Sequence, residues 1–327
     1  MLGAKIYGYA LAPYTQPNMF EALNLSTRCI HQENDIREYN KIEAVINEFA
    51  PEVVFHLAAQ PLVRRSYRAP LETLSVNVNG TANVLEACKR CPSVQSIIIV
   101  TTDKCYENKE EAIPFTENDR LGGHDIYSAS KACAELLTSS YRDAFYSENP
   151  IVASARAGNV IGGGDWSEDR LIPDIVRALY SNETLSIRSP DAIRPWQHVL
   201  DPLCGYLILA EKLTKNASYY AGAFNFGPSN ESLRTVKDVL TAFLSIWQDD
   251  NKNRILYEKF DTLHEATILS LDSSKAHKIL QWTPLLDFNS TITLTAQWYK
   301  TFIDQKSSSA KLYQITEDTI NSYMDHS

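Results

Sequence analysis

The feature of this chain that most restricts its fold is the alternation of short apolar runs with segments of helical spacing. Compact apolar runs occur at 53–58, 95–102 and 151–156. Between and around them, segments with helix-like spacing of apolar residues lie at 39–49, 70–90 and 128–146. Strands and helices that alternate over short links form a parallel sheet with helices on both faces. We therefore predict a Rossmann-type α/β fold, in which the strand at 53–58 is buried on both faces.

The regular alternation ends near residue 160, where a loop with three consecutive glycines begins. A chain of 327 residues is long enough for about two domains. We predict that residues 1–161, with returning segments at about 198–227, form the Rossmann-type domain. Residues 162–197 and 228–327 are predicted to form a smaller C-terminal lobe.

Charge and hydropathy exclude several classes of partner. The net charge of −9 argues against general binding of nucleic acid or of anionic membranes. Apolar runs stay well short of the roughly 20 residues that span a bilayer. The start of the chain does not have the pattern of a signal peptide. The six cysteines are mostly scattered, which favours a reducing cytoplasmic location. We interpret Cys88 and Cys91 as structural residues, so no metal site is predicted.

A possible acid–base pair is formed by Tyr127-Ser-Ala-Ser-Lys131. Positions i and i+4 share one face of a helix. An ammonium beside a phenol stabilises the phenolate, so we expect Lys131 to lower the pKa of Tyr127 from about 10 toward neutrality. The tyrosine can then accept a proton from a substrate hydroxyl. The spacing alone is equally typical of an amphipathic helix with a surface lysine.

Polar or small residues stand at the ends of two of the predicted strands. Thr102 ends the run at 95–102 and is followed by Asp103 and Lys104, and Ala58 ends the run at 53–58 and is followed by Ala59 and Gln60. Ligands of open parallel sheets bind beyond the carboxyl ends of the strands. The sequence therefore predicts that these groups meet Tyr127 and Lys131 at one cleft, although a polar loop after each strand would show the same pattern.

Together with Asn77 and the segment 156–160, these motifs resemble the extended short-chain dehydrogenase/reductase family of nucleotide-sugar enzymes. Longer strings are similar to those of the CDP-glucose 4,6-dehydratases, and they lie at 56–66, 102–108, 156–166, 169–173, 194–199 and 225–228. The resemblance extends from Leu2 to about Tyr299. It implies a bound NAD that is reduced and re-oxidised within one turnover of CDP-glucose.

The resemblance also implies catalytic roles for five residues. Tyr127 takes the proton of the sugar C4 hydroxyl, and Lys131 assists it and holds the nicotinamide ribose. Thr102 hydrogen-bonds the C4 oxygen, and Asp103 protonates the departing C6 hydroxyl. Lys104 stands at the position of the base that removes the C5 proton, where the related dTDP-glucose enzymes have a glutamate. A lysine accepts a proton only when it is neutral, so burial or the nearby Lys131 would have to favour the uncharged amine.

Binding residues follow from the same resemblance. The positions that match NAD contacts are Asp35, Ile36, Leu57, Ala58, Ala59, Asn77, Tyr127 and Lys131. The positions that match contacts of the sugar nucleotide are Gln60, Asn159, Arg170, Leu171, Arg194 and His264. An arginine suits a diphosphate, although a surface ion pair is an equally common use of the residue. In relatives the helices at 70–90 and 128–146 form a dimer interface, so a homodimer is expected.

The start of the chain departs from the family pattern. A dinucleotide-binding fold normally begins with a strand, a Gly-rich turn and a helix that holds the pyrophosphate. Glycine makes up only 12 of 327 residues, below the roughly 7% average, and residues 2–10 match the family's second strand. We expect the first strand and the Gly-rich turn to be missing, as in a fragment, a wrongly assigned start or a degenerate protein. A related 4-epimerase or reductase and a non-catalytic remnant stay open as alternatives.

Overall fold

The structure is a computed structural model, and it describes residues 3–111, 113–149, 151–229, 232–247, 255–257, 269–304 and 308–326. The strands are β1 (Tyr7–Ala10), β2 (Ile30–Glu33), β3 (Val53–His56), β4 (Ser96–Val100), β5 (Val152–Ala157), β6 (Val160–Ile161), β7 (Leu185–Ile187), β8 (Ile193–Pro195), β9 (Gln197–His198), β10 (Gly222–Phe226), β11 (Leu233–Thr235) and β12 (Ile255–Tyr257).

The helices are α1 (Met19–Ala22), α2 (Tyr39–Phe49), α3 (Val63–Arg68), α4 (Pro70–Leu74), α5 (Gly80–Lys89), α6 (Ile126–Phe145), α7 (Leu171–Ser181), α8 (Leu200–Lys215), α9 (Ala217–Tyr220), α10 (Val236–Trp247), α11 (Phe288–Asp304) and α12 (Ser309–Met324). A π-helical segment, Ser75–Asn79, joins α4 to α5, so the helix predicted at 70–90 is continuous but irregular. A second π-helical segment is Ala276–Leu280, and short 3₁₀ turns are Leu25–Thr27 and Asp103–Cys105.

The central sheet has four parallel strands in the order β10-β5-β4-β3. In β4, Ile97 and Ile99 pack into one core cluster and Ile98 into another, as expected from the alternation of side chains along a strand. The first cluster includes residues of α2 and α5, and the second includes residues of α8. The predicted α/β fold with helices on both faces is confirmed.

Strand β3 differs from the prediction that it is buried on both faces. Val53 is 37% exposed, and Val54 and Phe55 are only partly buried. The physical reason is that β3 is an edge strand, whose backbone pairs with β4 on one side. Strand β4, which has a partner on each side, is buried as expected.

Strands β1 and β2 form a separate parallel pair. Every residue of β2 is exposed, and Tyr9 of β1 reaches the core through a hydrogen bond from its hydroxyl to the carbonyl oxygen of Asp35 at 3.1 Å. The ring of Tyr7 also packs against Phe49 of α2, with ring centroids 5.2 Å apart.

A third core cluster lies in the later part of the chain. Trp166, Ile175, Phe243 and Tyr299 are among its buried members, and Leu23 from the early part of the chain joins them. Clusters of this kind do not by themselves define domains, and the two-domain division stays a prediction. None of the helices among the described residues combines the length and the hydropathy required to cross a membrane.

Candidate active site

A cleft with a volume of about 550 Å³ opens at the carboxyl ends of the central strands. Because β3, β4 and β5 are parallel, the residues that follow them lie at the same edge of the sheet. Thr102, Asp103 and Lys104 after β4, Gly158 after β5 and Tyr127 at the start of α6 line this cleft. The residues at the strand ends and Tyr127 thus line one cleft, as predicted.

The local sequence explains how Tyr127 is placed. Asp125 caps α6, since its Oδ1 accepts from the Ser128 backbone N–H at 2.9 Å and its Oδ2 accepts from the Ser128 hydroxyl at 2.6 Å. Tyr127 is therefore in the first turn of a 20-residue helix, and its own N–H donates to the hydroxyl of Ser66 at 3.3 Å. These bonds fix the backbone at the start of α6, and Tyr127 lines the cleft from there.

The electrostatics of Tyr127 differ from the expectation. Burial raises its pKa to about 12, and the groups that oppose this shift are the Arg170 guanidinium and a hydrogen bond with Thr102. The predicted lowering of the Tyr127 pKa by Lys131 is wrong. Lys131 instead donates from Nζ to the Val100 carbonyl oxygen at 3.3 Å, and burial lowers its own pKa to about 8.

Asp103 is almost completely buried beneath the cleft. Its Oδ1 accepts from the Thr102 hydroxyl at 2.9 Å, whereas its Oδ2 is buried without a hydrogen-bond partner. Burial raises the pKa of this carboxyl, while the nearby charges of Lys104 and Arg194 oppose the shift. A carboxyl group in such a setting favours the neutral, proton-bearing form and can act as a general acid.

Gly158 leaves the space that Asp103 occupies. A Cβ atom built on Gly158 would lie 1.9 Å from the Asp103 Oδ2 atom. A larger residue would therefore displace the carboxyl group, which gives a steric reason for the glycine at the end of the Arg-Ala-Gly string at 156–158.

A buried hydrogen-bond network connects α6 to the sheet behind the cleft. Glu135, one turn after Lys131, accepts from the hydroxyl of Ser154 at 2.7 Å, from Arg156 Nη2 at 2.7 Å and from the Thr101 hydroxyl. Arg156 Nη1 also donates to the hydroxyl of Tyr106 at 2.7 Å. These bonds fix the strand-end segment of β4 relative to the helix that carries Tyr127.

The loop after β3 is tied to the π-helical segment. Asn77 accepts from the Gln60 N–H at 2.8 Å and donates to the Gln60 carbonyl oxygen at 3.1 Å. The Gln60 side chain bonds the Thr73 hydroxyl at 2.8 Å and the Leu62 N–H at 2.7 Å. Gln60 and Asn77 therefore use their polar groups within the protein, and the geometry favours a supporting role for Gln60 over the predicted substrate contact.

The remaining positions predicted to contact NAD lie along the edge beside β3 and β2. Leu57 is 54% exposed, and Ala58 and Ala59 are half-buried. Because the two alanines carry only methyl side chains, a flat ring can approach the backbone at 58–59. Ile36 is buried against Gly80, and the Asp35 carboxylate accepts from Arg37 Nε at 2.9 Å, which lowers its pKa. These small and apolar residues fit a dinucleotide along this edge.

The positions predicted for the sugar nucleotide are placed mainly at the opposite wall. Asn159, Arg170, Leu171 and Arg194 all line the cleft. Arg170 immediately precedes α7 and lies 3.5 Å from Asp165, and Arg194 Nη1 donates to the Ile193 carbonyl oxygen at 2.9 Å. His264 lies outside the described residues. Four of the six predicted positions thus face one cavity.

Sequence reasoning missed three contributors to this site. Glu135 could have been found from its position four residues after Lys131, on the same helix face. Gly158 had no signal beyond its place at a strand end. Arg188 follows β7 and lines the cleft, but its position depends on how the later part of the chain folds over the sheet.

Similarity to known proteins agrees with this geometry. The family model described as GDP-mannose 4,6 dehydratase matches residues 16–295. The CDP-glucose 4,6-dehydratase of Salmonella typhimurium is 43% identical over 310 residues, which cover 92% of this chain and 85% of that protein. The dTDP-glucose 4,6-dehydratase of Haemophilus influenzae is 26% identical and covers 83% of each chain.

Solved structures share the fold at lower identity. A UDP-glucose 4-epimerase from Thermotoga maritima with UDP-glucose has a TM-score of 0.79 and 20% identity, and the match covers 92% of both chains. A dTDP-glucose 4,6-dehydratase from Streptomyces venezuelae with NAD bound has a TM-score of 0.77 and 20% identity, covering 90% of this chain and 87% of that one. The matched family model and the 43% identical relative show that this chain belongs to the GDP-mannose 4,6 dehydratase family.

Proposed function

We propose that this protein dehydrates CDP-glucose to CDP-4-dehydro-6-deoxyglucose, with NAD as its cofactor. The observation that carries the proposal is the buried Asp103 carboxyl, with an unpartnered oxygen, beside Thr102 and Tyr127. The similarity to a CDP-glucose 4,6-dehydratase supports the choice of substrate. A 4-epimerase would need Tyr127 but no acid at position 103, so the geometry favours the dehydratase.

Removal of the C4 hydroxyl proton is assigned to Tyr127. A phenol accepts a proton only in its ionised form. Arg170 and the hydrogen bond with Thr102 favour that form against the effect of burial on the pKa of Tyr127. Thr102 is also placed to hydrogen-bond the oxygen that loses its proton.

Elimination of water requires a base that acts at C5 of the sugar and an acid that acts at the hydroxyl of the adjacent C6. The C5 proton, acidified by the neighbouring C4 ketone, moves to a base, and Lys104 lines the cleft at the position that the resemblance implies. Lys104 must release its own proton before this step, because only the uncharged amine accepts one. The bond between C6 and its hydroxyl oxygen breaks, and that hydroxyl takes the proton of Asp103 and leaves as water. The raised pKa of Asp103 supports this role, because the acid must carry its proton before the step begins.

The cofactor would lie along the edge that begins at Asp35 and Ile36 and passes Leu57, Ala58 and Ala59 toward Tyr127 and Lys131. When bound, NAD supplies a hydride acceptor for the oxidation at C4 and a hydride donor for the reduction at C6. Lys131 holds a charge close to the carboxyl end of β4, where it can hydrogen-bond a ribose hydroxyl.

A homodimer is part of the proposal. Leu71 on α4 is 80% exposed and Leu136 on α6 is 57% exposed, and these helices lie beside one another. Exposed leucines on adjacent helices are suited to a four-helix contact with a second copy. All six cysteines are free thiols, which supports a reducing location such as the cytoplasm.

The test is to incubate the protein with NAD and CDP-glucose, and to measure formation of the 4-keto-6-deoxy product. UDP-glucose and dTDP-glucose serve as alternative substrates. In Asp103→Asn, reduced NAD is expected to accumulate transiently, since the first oxidation still proceeds while departure of the hydroxyl is slowed. Product formed from CDP-glucose at an unchanged rate in Asp103→Asn would contradict the assigned role, and failure of the wild-type protein to process CDP-glucose would contradict the proposed function.

A further inference from the structure

A charged pair in the wall of the cleft takes no part in the chemistry described above. Asp169 and Arg188 both line the cavity. Arg188 donates from Nη1 to Asp169 Oδ1 at 2.9 Å and from Nη2 to the Asp169 carbonyl oxygen at 3.5 Å. The two side chains are 29% and 21% exposed, so most of this pair is shielded from solvent. A guanidinium carries five N–H donors, and these bonds use two of them.

The charges of the pair act on a different part of the site from those of Arg170 and Arg194. Arg170 acts on the pKa of Tyr127, and Arg194 acts on the pKa of Asp103. Arg188 and Asp169 act instead on the pKa of Asp174 in α7. Asp169 and Arg188 are thus not among the charges that act on the pKa of Tyr127 or Asp103, and they act on α7 instead. In a nucleotide sugar the base lies at the opposite end from the reacting sugar, so a pair that lines the cleft but acts away from the acid–base groups suits the base.

The backbone around both residues is held in an uncommon conformation. Asp169 has a φ of 59°, and Ser189, next to Arg188, has a φ of 44°. Residues other than glycine adopt this left-handed region at a cost, and such residues concentrate at binding and active sites. Both partners are therefore presented to the cleft by strained segments of chain.

The hydrogen-bonding pattern of the pair distinguishes the two common pyrimidines. An aspartate oxygen accepts, and the adjacent arginine N–H groups donate. Cytosine offers a matching edge, with an amino donor at N4 beside acceptors at N3 and O2. Uracil offers an acceptor at O4, which would face the carboxylate, and a donor at N3, which would face the guanidinium.

We propose that Asp169 and Arg188 form the base-recognition subsite of this cleft and select cytosine over uracil nucleotides. Asp169 accepts from the cytosine amino group, and Arg188 donates to the acceptors N3 and O2. This inference rests on the proposed function, since it specifies how a cytidine nucleotide is chosen at the same site. Arg68, whose Nη2 lies 3.9 Å from Asp169, is bonded mainly to Glu168 and steadies the outer side of the pair.

Isothermal titration calorimetry of the full chain with CDP and with UDP tests the proposal. The wild-type protein is expected to bind CDP more tightly than UDP. Asp169→Asn replaces the carboxylate by an amide that can donate to uracil O4, so the preference for CDP is expected to fall by about tenfold to hundredfold. Arg188→Lys keeps the charge but loses the planar guanidinium, so it is expected to weaken the binding of CDP more than the binding of UDP.

The control is Glu211→Gln, which makes the same carboxylate-to-amide change in an exposed ion pair with Lys215 on α8. It is expected to leave both affinities unchanged. Equal affinity of the wild-type protein for CDP and UDP would overturn the inference. An unchanged ratio of CDP affinity to UDP affinity in both Asp169→Asn and Arg188→Lys would also overturn it. If Asp169→Asn does not fold, Arg188→Lys alone decides the outcome. A wild-type protein that binds neither nucleotide would instead refute the proposed function.

Discussion

Asp103 and Glu135 are both buried carboxyl groups beside the end of β4, but their surroundings differ. Asp103 has one hydrogen bond from Thr102 and a second oxygen without a partner. Glu135 accepts from Thr101 and Ser154 and forms an ion pair with Arg156 at 2.7 Å. Burial alone therefore does not decide what a carboxyl group does. The partner set keeps one group available for proton transfer and makes the other a structural anchor.

The largest effect is expected from removing the anchor. Glu135→Ala leaves the Arg156 guanidinium buried without its carboxylate partner, and breaking a buried ion pair in this way costs about 3–5 kcal/mol. Urea denaturation of the variant should show this loss of unfolding free energy. Gln32→Ala is the matched comparison, since it removes an exposed hydrogen bond from Tyr7 at 2.8 Å and should change stability by at most about 0.5 kcal/mol. Equal losses in the two variants would show that the network is not an anchor.

The next effect concerns the space around Asp103. Gly158→Ala places a methyl group where the Asp103 Oδ2 atom lies, and overpacking of this kind costs about 1–3 kcal/mol. Because the carboxyl group must move, dehydration should be slowed more than the first oxidation. Rapid-mixing measurements with thermal unfolding of the same sample separate the two effects. A variant with unchanged stability and unchanged product formation would rule out the tight contact between Gly158 and Asp103.

The smallest effect is a pH dependence of stability. Burial raises the pKa of Asp103 in the folded protein above its ordinary value of about 3.9. At a pH between the pKa of Asp103 in the unfolded chain and its higher pKa in the folded protein, the folded protein holds a proton that the unfolded chain has released. Stability is therefore lost as pH rises through this window and is constant above it.

Asp103→Asn removes this ionisation, so its stability relative to the wild-type protein should increase from pH 4 to neutral pH. Urea titrations of both proteins across this range measure the difference. A difference that stays constant or reverses would mean that Asp103 is ionised in the folded protein.

The regular elements and the location of the site could be predicted from the sequence. The predicted helix at 39–49 matches α2, and the predicted run at 95–102 contains β4. The strand-end position of Thr102 and Asp103 followed from the rule that parallel strands share a carboxyl edge. These predictions depend on local patterns and one general rule of topology.

The electrostatics could not be predicted in the same way. The pairing of Glu135 with Arg156 joins a helix to a strand, and the unpartnered oxygen of Asp103 depends on the absence of a side chain at Gly158. Burial raises the pKa of Tyr127, and the charge that most opposes this shift is Arg170, which lies more than 40 positions later in the sequence. Long-range packing decides these charges, and spacing within one helix does not reveal it.

The central claim is that burial keeps Asp103 neutral, so that it can donate a proton. Carbon-13 NMR of the protein with labelled aspartate side chains measures this directly, with Asp103→Asn used to assign the signal. We expect the Asp103 carboxyl carbon to titrate with a pKa clearly above the ordinary aspartate value of about 3.9. A carboxyl carbon that titrates at or below that value would contradict the account.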